Sequence, residues 1–242
     1  MGAPAMPPPA AVLLDIEGTT TPIRYVHEVL FPYARARMAE LVRARAGEPE
    51  VAQALAEVGR LAPGADPLAT LLGWMDADAK VAPLKTLQGI LWRGGYEAGE
   101  LRGEMYPDVP PCLRRWAASG VRLFVYSSGS EEAQRLIFGH SSAGDLAALF
   151  GGFFDTRVGP KREPESYRTI ARASAVPPGE MLFLSDVEVE LDAAAAAGLR
   201  VCQLVRAEDG TVASGRHPTA SDFAQVSARF GLPGPATAPA PA

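Results

Sequence analysis

Leu13-Leu14-Asp15-Ile16-Glu17-Gly18-Thr19-Thr20-Thr21-Pro22 carries an apolar run to a carboxylate, steps over one residue to a second, and turns through glycine. A strand buried on both faces is apolar along its length, so an acid at its end belongs where the strand reaches solvent or a ligand. In an open α/β sheet, the carboxyl ends of the strands border the usual ligand crevice. A plain strand and polar turn with both acids solvated fits this stretch equally well, so the rest of the chain decides between the two.

The same arrangement recurs downstream. Val121-Arg122-Leu123-Phe124-Val125-Tyr126 reads as a strand ending in Ser127-Ser128-Gly129-Ser130, with Ser130 capping a helix opened by Glu131 and Glu132. Phe153-Phe154-Asp155 reads as a short strand, and Met181-Leu182-Phe183-Leu184 ends at Ser185-Asp186 before a helix from Glu188 to Ala197, stopped by Gly198. Val201 to Val205 makes a further strand, and Ser221 is placed to cap a last helix with Phe223, Val226 and Phe230 on its buried face. Strands alternating with helices imply an α/β fold with a Rossmann-like parallel sheet, whose strand ends of one sense share one edge. That edge collects Asp15, Glu17, Ser127, Ser128 and Asp186.

Between the first and second strands the period changes to helical. Leu30, Ala34, Met38 and Leu41 form one stripe, broken or kinked near Pro32. Val51, Leu55 and Val58 form a second. Asp66-Pro67 is an N-cap followed by proline at the first helical position, leading into Leu68, Leu71, Leu72 and Met75, and Pro83 opens a helix carrying Leu84, Leu87 and Leu91. Short amphipathic helices of this kind bury their stripes against one another in a small bundle, with Trp74, Trp92 and Tyr96 in its core.

A chain of 242 residues has room for one α/β domain with an insertion or for two unequal domains. Its net charge of -5 and pI near 5.3 argue against a broad grip on nucleic acid or anionic membrane. The N-terminal stretch lacks the basic region of a signal peptide, Met6 stands where a myristoylation signal needs Ser or Thr, and no apolar run approaches the roughly 20 residues that span a bilayer. Cys112 and Cys202, far apart and outside metal-ligand spacing, argue against disulfide scaffolds and zinc sites and for a reducing, cytoplasmic location. The expected molecule is a monomer that contacts neither nucleic acid nor membrane. The Pro- and Ala-rich end, residues 233–242, reads as a disordered tail.

Two strand-end carboxylates with oxygen donors nearby suit a hard divalent ion, and Mg2+ is the natural partner. The hydroxyls and backbone N–H groups of Ser127 and Ser128 can hold the oxygens of a phosphate monoester, and Lys161, on the loop Val158-Gly159-Pro160-Lys161, can balance their charge. His27, His140 and His217 are too scattered for a metal cluster. Glu188, Glu190 and Asp192 read as a solvated helix face, with Glu190 the one that could support a metal-bound water.

Asp15-Ile16-Glu17-Gly18-Thr19, Ser127, Lys161 and Asp186 resemble the four motifs of the haloacid dehalogenase superfamily, and the helical insertion, residues 24–106, resembles that superfamily's cap on a core of residues 1–23 and 107–232. Common phosphatases of the group carry a second aspartate where Glu17 stands. With that departure, the stretches Val26 to Tyr33, Tyr126 to Ser130, Phe138 to Ser141, Glu165 to Tyr167 and Leu182 to Asp186 resemble the enolase-phosphatases of methionine salvage. The resemblance implies enolisation and then dephosphorylation of 2,3-diketo-5-methylthiopentyl-1-phosphate, giving 1,2-dihydroxy-3-keto-5-methylthiopentene. It implies one Mg2+ per subunit held by Asp15, Glu17 and Asp186, with Asp15 and Glu17 catalytic and Ser127, Ser128 and Lys161 contacting substrate. The family's residue at the Glu17 position gives its backbone carbonyl to the metal, leaving the carboxylate for proton transfer. Another capped Mg2+-dependent phosphatase, or a receiver-like module that accepts phosphate as a signal, would carry many of the same residues.

Overall fold

The computed structural model describes residues 7–234, and most of the expected C-terminal tail lies outside them. The described chain divides into two compact units, one built from the residues up to Ile23 and from Gly103 onward, the other from Arg24–Arg102. The return point lies at Gly103 because Gly103 donates its N–H to His140 (2.9 Å) and Tyr106 donates its N–H to Thr20 (3.1 Å), which ties residues 103–106 to the α/β unit.

In the α/β unit a parallel sheet is formed by β1 (Ala11–Leu14), β2 (Arg122–Tyr126), β3 (Phe150–Phe154), β4 (Met181–Ser185), β5 (Arg200–Leu204) and the short β6 (Thr219–Ala220), in the order β3-β2-β1-β4-β5-β6. β1 and β4 are buried at every position, as the apolar runs Ala11–Leu14 and 181–184 require, with Ser185 buried at the end of β4. Leu13 lies in register with Phe124 on one side and Phe183 on the other. The order reverses between β1 and β4, so the crevice at their carboxyl ends is the topological switch point of the sheet. One face is covered by an apolar layer that includes Leu13, Tyr126, Tyr167, Ile170, Phe183 and Leu191. Elsewhere in this unit Trp116, on the helix Val109–Ala118, stacks on Phe223 at 5.1 Å and donates its indole N–H to Ser227.

The helical unit opens with a π-helix, Tyr25–Leu30, which passes directly into α1 (Phe31–Ala44), so Pro32 falls in the first turn of α1, where π winding gives way to α winding within a continuous helical stretch. α2 (Pro49–Leu61), α3 (Pro67–Asp76) and α4 (Ala82–Glu97) follow, and Met38, Leu41, Val51, Val58, Leu71 and Leu87 make a buried core. Asp66 caps α3 by accepting from Ala69 N–H at 2.7 Å. Tyr96 is buried, with its hydroxyl 2.8 Å from that of Tyr25, whereas Trp74 and Trp92 pack against the bundle core while only partly buried. Among the described residues no helix is long and apolar enough to cross a membrane.

Two local readings need correction. The last helix, Phe223–Phe230, is capped by Asp222, which accepts from Gln225 N–H at 2.7 Å, and Ser221 lies one residue earlier with its carbonyl bound by Arg206. β6 was absent from the sequence pattern because a strand of two residues is too short to show a period.

Candidate active site

β1 delivers Asp15 to the switch point, and the turn after it is tightly closed: the N–H groups of Thr19, Thr20 and Thr21 all donate to the Ile16 carbonyl, and Gly18 N–H donates to Thr21. Gly18 holds φ +67°, a left-handed conformation suited to glycine. A methyl group there would stand 2.5 Å from an oxygen of Asp186, so the turn and the end of β4 meet where only a hydrogen fits. Asp186 N–H donates to the Thr19 hydroxyl (3.1 Å), locking the two strand ends together.

Asp15 is buried, and both of its oxygens are oriented. One accepts the Ile16 N–H at 2.8 Å. The other accepts the Ser185 hydroxyl at 2.9 Å and lies 2.7 Å from the Lys161 ammonium. Lys161 is not the exposed loop residue its position suggests. Its side chain is 10 % exposed and reaches Glu190 at 2.6 Å as well as Asp15. The loop is held by one residue distant in sequence and two from the helix that follows it: Tyr126 donates to the Gly159 carbonyl, Ser166 to that of Pro160, and Tyr167 to that of Lys161, each within 2.9 Å.

Glu190 departs from the solvated face read from its neighbours. Glu188 and Asp192 bind the exposed Arg216, but Glu190 turns inward to Lys161 and also accepts from the Ser185 hydroxyl at 3.3 Å. Residues two apart on a helix point to nearly opposite sides, which separates Glu190 from the other two acids. His217 meets the same outer acids: its Nε2 lies 2.8 Å from Asp192.

Asp15, Glu17, Ser128, Lys161, Asp186 and Glu190 line one cavity of about 180 Å³. Ser127, buried directly after β2, is not among its lining residues. Its N–H donates to Phe154 in the sheet and its hydroxyl accepts from Gly129 N–H, so the backbone donor expected to face a phosphate is used within the fold. Gln134, which the sequence reading overlooked, secures the same loop by donating to the Gly129 and Phe154 carbonyls at 2.9 and 2.7 Å.

The site holds more negative charge than Lys161 balances. Burial, reinforced by the charge of Asp15, pushes the Asp186 carboxyl up to about 7, and the same two causes push Glu190 up to about 8. Lys161 stays protonated because the charges of Asp15 and Glu190 outweigh its burial. Oδ1 of Asp186 is buried with no hydrogen-bond partner among the described residues. An orphaned carboxylate oxygen beside a second carboxylate fits a hard cation. Among the described residues no three acidic, histidine or cysteine side chains form a metal-binding group, so a divalent ion here would take the two aspartates together with main-chain and water oxygens.

A family model described as haloacid dehalogenase-like hydrolase matches residues 9–198. The chain is 60% identical over 228 residues to the enolase-phosphatase E1 of Acidiphilium cryptum (strain JF-5), covering 94% of this chain and 98% of that protein. It is 58% identical over 223 residues to the enolase-phosphatase E1 of Gluconacetobacter diazotrophicus, covering 92% and 95%. Among solved structures, the UTR4 protein of Saccharomyces cerevisiae superposes with a TM-score of 0.76 at 33% identity, covering 89% of this chain and 98% of that one.

Proposed function

The chain belongs to the haloacid dehalogenase-like hydrolases and, within them, to the enolase-phosphatases, and from that premise we infer how its own residues carry the reaction. It is an acireductone synthase of methionine salvage, converting 2,3-diketo-5-methylthiopentyl-1-phosphate to 1,2-dihydroxy-3-keto-5-methylthiopentene and phosphate. The observation that carries the residue assignment is the meeting of Asp15, Lys161 and Asp186 in one cavity at the switch point.

In the phosphatase half, an oxygen of Asp15 attacks phosphorus. The P–O bond to the substrate breaks, and Glu17 supplies the proton that the departing oxygen takes up. The aspartyl-phosphate is then hydrolysed by a water whose proton passes to Glu17, which restores both carboxyl groups. Each of these proton transfers contributes roughly a hundredfold or more in rate. Lys161 and the Ser185 hydroxyl fix the Asp15 carboxylate before reaction, so little reorganisation is needed at the moment of attack. Ser127, Ser128 and Lys161 are the residues assigned to hold the phosphate, Ser128 and Lys161 from the cavity wall.

Mg2+ is the assigned cofactor, held by Asp15, Asp186 and the backbone carbonyl of Glu17, and when bound it supplies charge stabilisation for phosphoryl transfer and for the enolate. The helical unit is assigned as the inserted cap, on its position in the chain between Ile23 and Gly103. The two cysteines, unpaired and buried, support a reducing cytoplasmic setting. We assign the enzyme as a monomer, to be checked by sedimentation.

Asp15→Asn tests the assignment. The variant keeps the melting behaviour of the wild type, still accepts substrate, and releases no phosphate. Wild-type phosphate release from folded Asp15→Asn would remove Asp15 from the nucleophile's role.

A further inference from the structure

Arg206 belongs to none of the four motifs and does not line the cavity, yet it is 4 % exposed and bound on several sides. One of its terminal nitrogens donates to Asp108 (2.9 Å) and to the Ser221 carbonyl (3.1 Å). The other donates to the second oxygen of Asp108 and to the Thr19 carbonyl, each at 3.0 Å. Its guanidinium lies 4.0 Å from the centre of the Tyr106 ring. The Asp108 oxygen shared with this second nitrogen also accepts Phe223 N–H at 2.8 Å, so Asp108 is itself fixed. The Arg–carboxylate pair is bidentate, with Arg206 buried and Asp108 partly buried, which gives it a defined geometry.

What that geometry holds is Thr19. Its carbonyl is held by Arg206 while its hydroxyl receives the N–H of Asp186. Gln203, from the end of β5, completes the support by donating to the Asp186 carbonyl at 3.0 Å. We propose that Arg206 is a positioning residue for this site, setting the turn that carries Asp15 and Glu17 against the strand end that carries Asp186. Phosphoryl transfer and Mg2+ binding both need these strand ends in one arrangement. Loosening Thr19 therefore weakens both together, without removing a group that touches the substrate.

The inference rests on the assignment of Asp15 and Asp186 given above, and its test separates the two. Arg206→Lys keeps the buried charge and can still meet Asp108, but a single ammonium cannot span Asp108 and the Thr19 carbonyl as the guanidinium does. In the full-length enzyme the expected result is a preserved far-ultraviolet spectrum and Mg2+ binding to substrate-free protein, measured by calorimetry, weakened about 10-fold or more. Alongside it, kcat falls by about 10- to 100-fold while KM changes little. A merely structural role would lower the melting temperature and leave the Mg2+ dissociation constant where it was. Folded Arg206→Lys with wild-type Mg2+ affinity and kcat overturns the proposal. Should Arg206→Lys not fold, Asp108→Asn loosens the guanidinium without removing it, and wild-type values of both quantities in that variant overturn the proposal equally. Asp15→Asn assayed in parallel shows whether a failure lies in the site assignment, in which case that variant keeps its turnover, or in the role of Arg206 alone.

Discussion

Gly18→Ala places the heaviest demand on the site from the smallest change. At φ +67° an L-residue meets a backbone penalty of about 1–2 kcal/mol. The added methyl would also stand 2.5 and 2.6 Å from Oδ2 and Cγ of Asp186, whereas comfortable carbon contacts begin near 3.5 Å. The carboxylate must therefore withdraw by about 1 Å, a displacement on the scale that lowers turnover about a hundredfold. Backbone strain and carboxylate displacement are separated by Gly120→Ala, where φ is +86° and a methyl group meets nothing within 4 Å. With about 2–4 °C of melting temperature per kcal/mol in a protein of this size, both variants should lose about 2–8 °C. Only Gly18→Ala should lose kcat by about a hundredfold and bind Mg2+ weakly in calorimetry. Gly18→Ala with the kcat and Mg2+ affinity of Gly120→Ala would refute the contact between the turn and Asp186 as a determinant of activity.

Asp186 and Lys161 give two further predictions. With its carboxyl raised to about 7 from an unfolded value near 3.9, Asp186 makes the metal-free folded state hold the extra proton, so stability falls as pH rises from about 4 to about 7. Asp186→Asn should therefore melt higher than the wild type at pH 8 in chelator, match it near pH 4, and lose the stabilisation that Mg2+ gives the wild type; thermal melts at the two pH values check this. Lys161→Met leaves Asp15 and Glu190 facing without a cation, an arrangement best relieved by protonating Glu190, which burial already favours. Its melting deficit should grow from pH 5 to pH 8, and phosphate release should fall about a hundredfold or more in a steady-state assay. A deficit independent of pH would show that Lys161 does not balance these acids.

The acids that follow β1 and β4 were legible because the strands leave no latitude: each is buried at every residue, β1 is apolar throughout and β4 as far as its last residue, Ser185, so a carboxylate beyond either run marks the exit from the sheet. Ser130 and Asp66 were legible as caps for a similarly local reason, since each accepts an N–H three residues on. Ser221 and Asp222 are both capping residues, and adjacency made the choice between them depend on Arg206, which binds the Ser221 carbonyl. Lys161 could not be read as buried from its own loop, because its burial depends on hydrogen bonds from Tyr126 on β2 and from Ser166 and Tyr167 on the following helix. Glu190 was within reach: Glu188 and Asp192 lie on one face, and a residue midway between them in sequence faces away.

Arg206 marks a different boundary. Its role depends on groups from three parts of the chain, Thr19, Asp108 and Ser221, that share no period and no motif. A chemical group that meets the substrate is constrained in type, so a strand-end aspartate or a loop lysine can be suspected from sequence. A residue that acts through a backbone carbonyl is constrained only in reach and charge, and any of the 23 lysines and arginines satisfies that description until the fold brings one of them to the turn. Sequence thus exposes the residues of this site that do the chemistry more readily than those that hold them in place. The geometry around Thr19 implies that the second kind also bears on the rate, though less steeply than the nucleophile itself, because Asp15 and Asp186 stand on separate strand ends whose alignment is set at that residue.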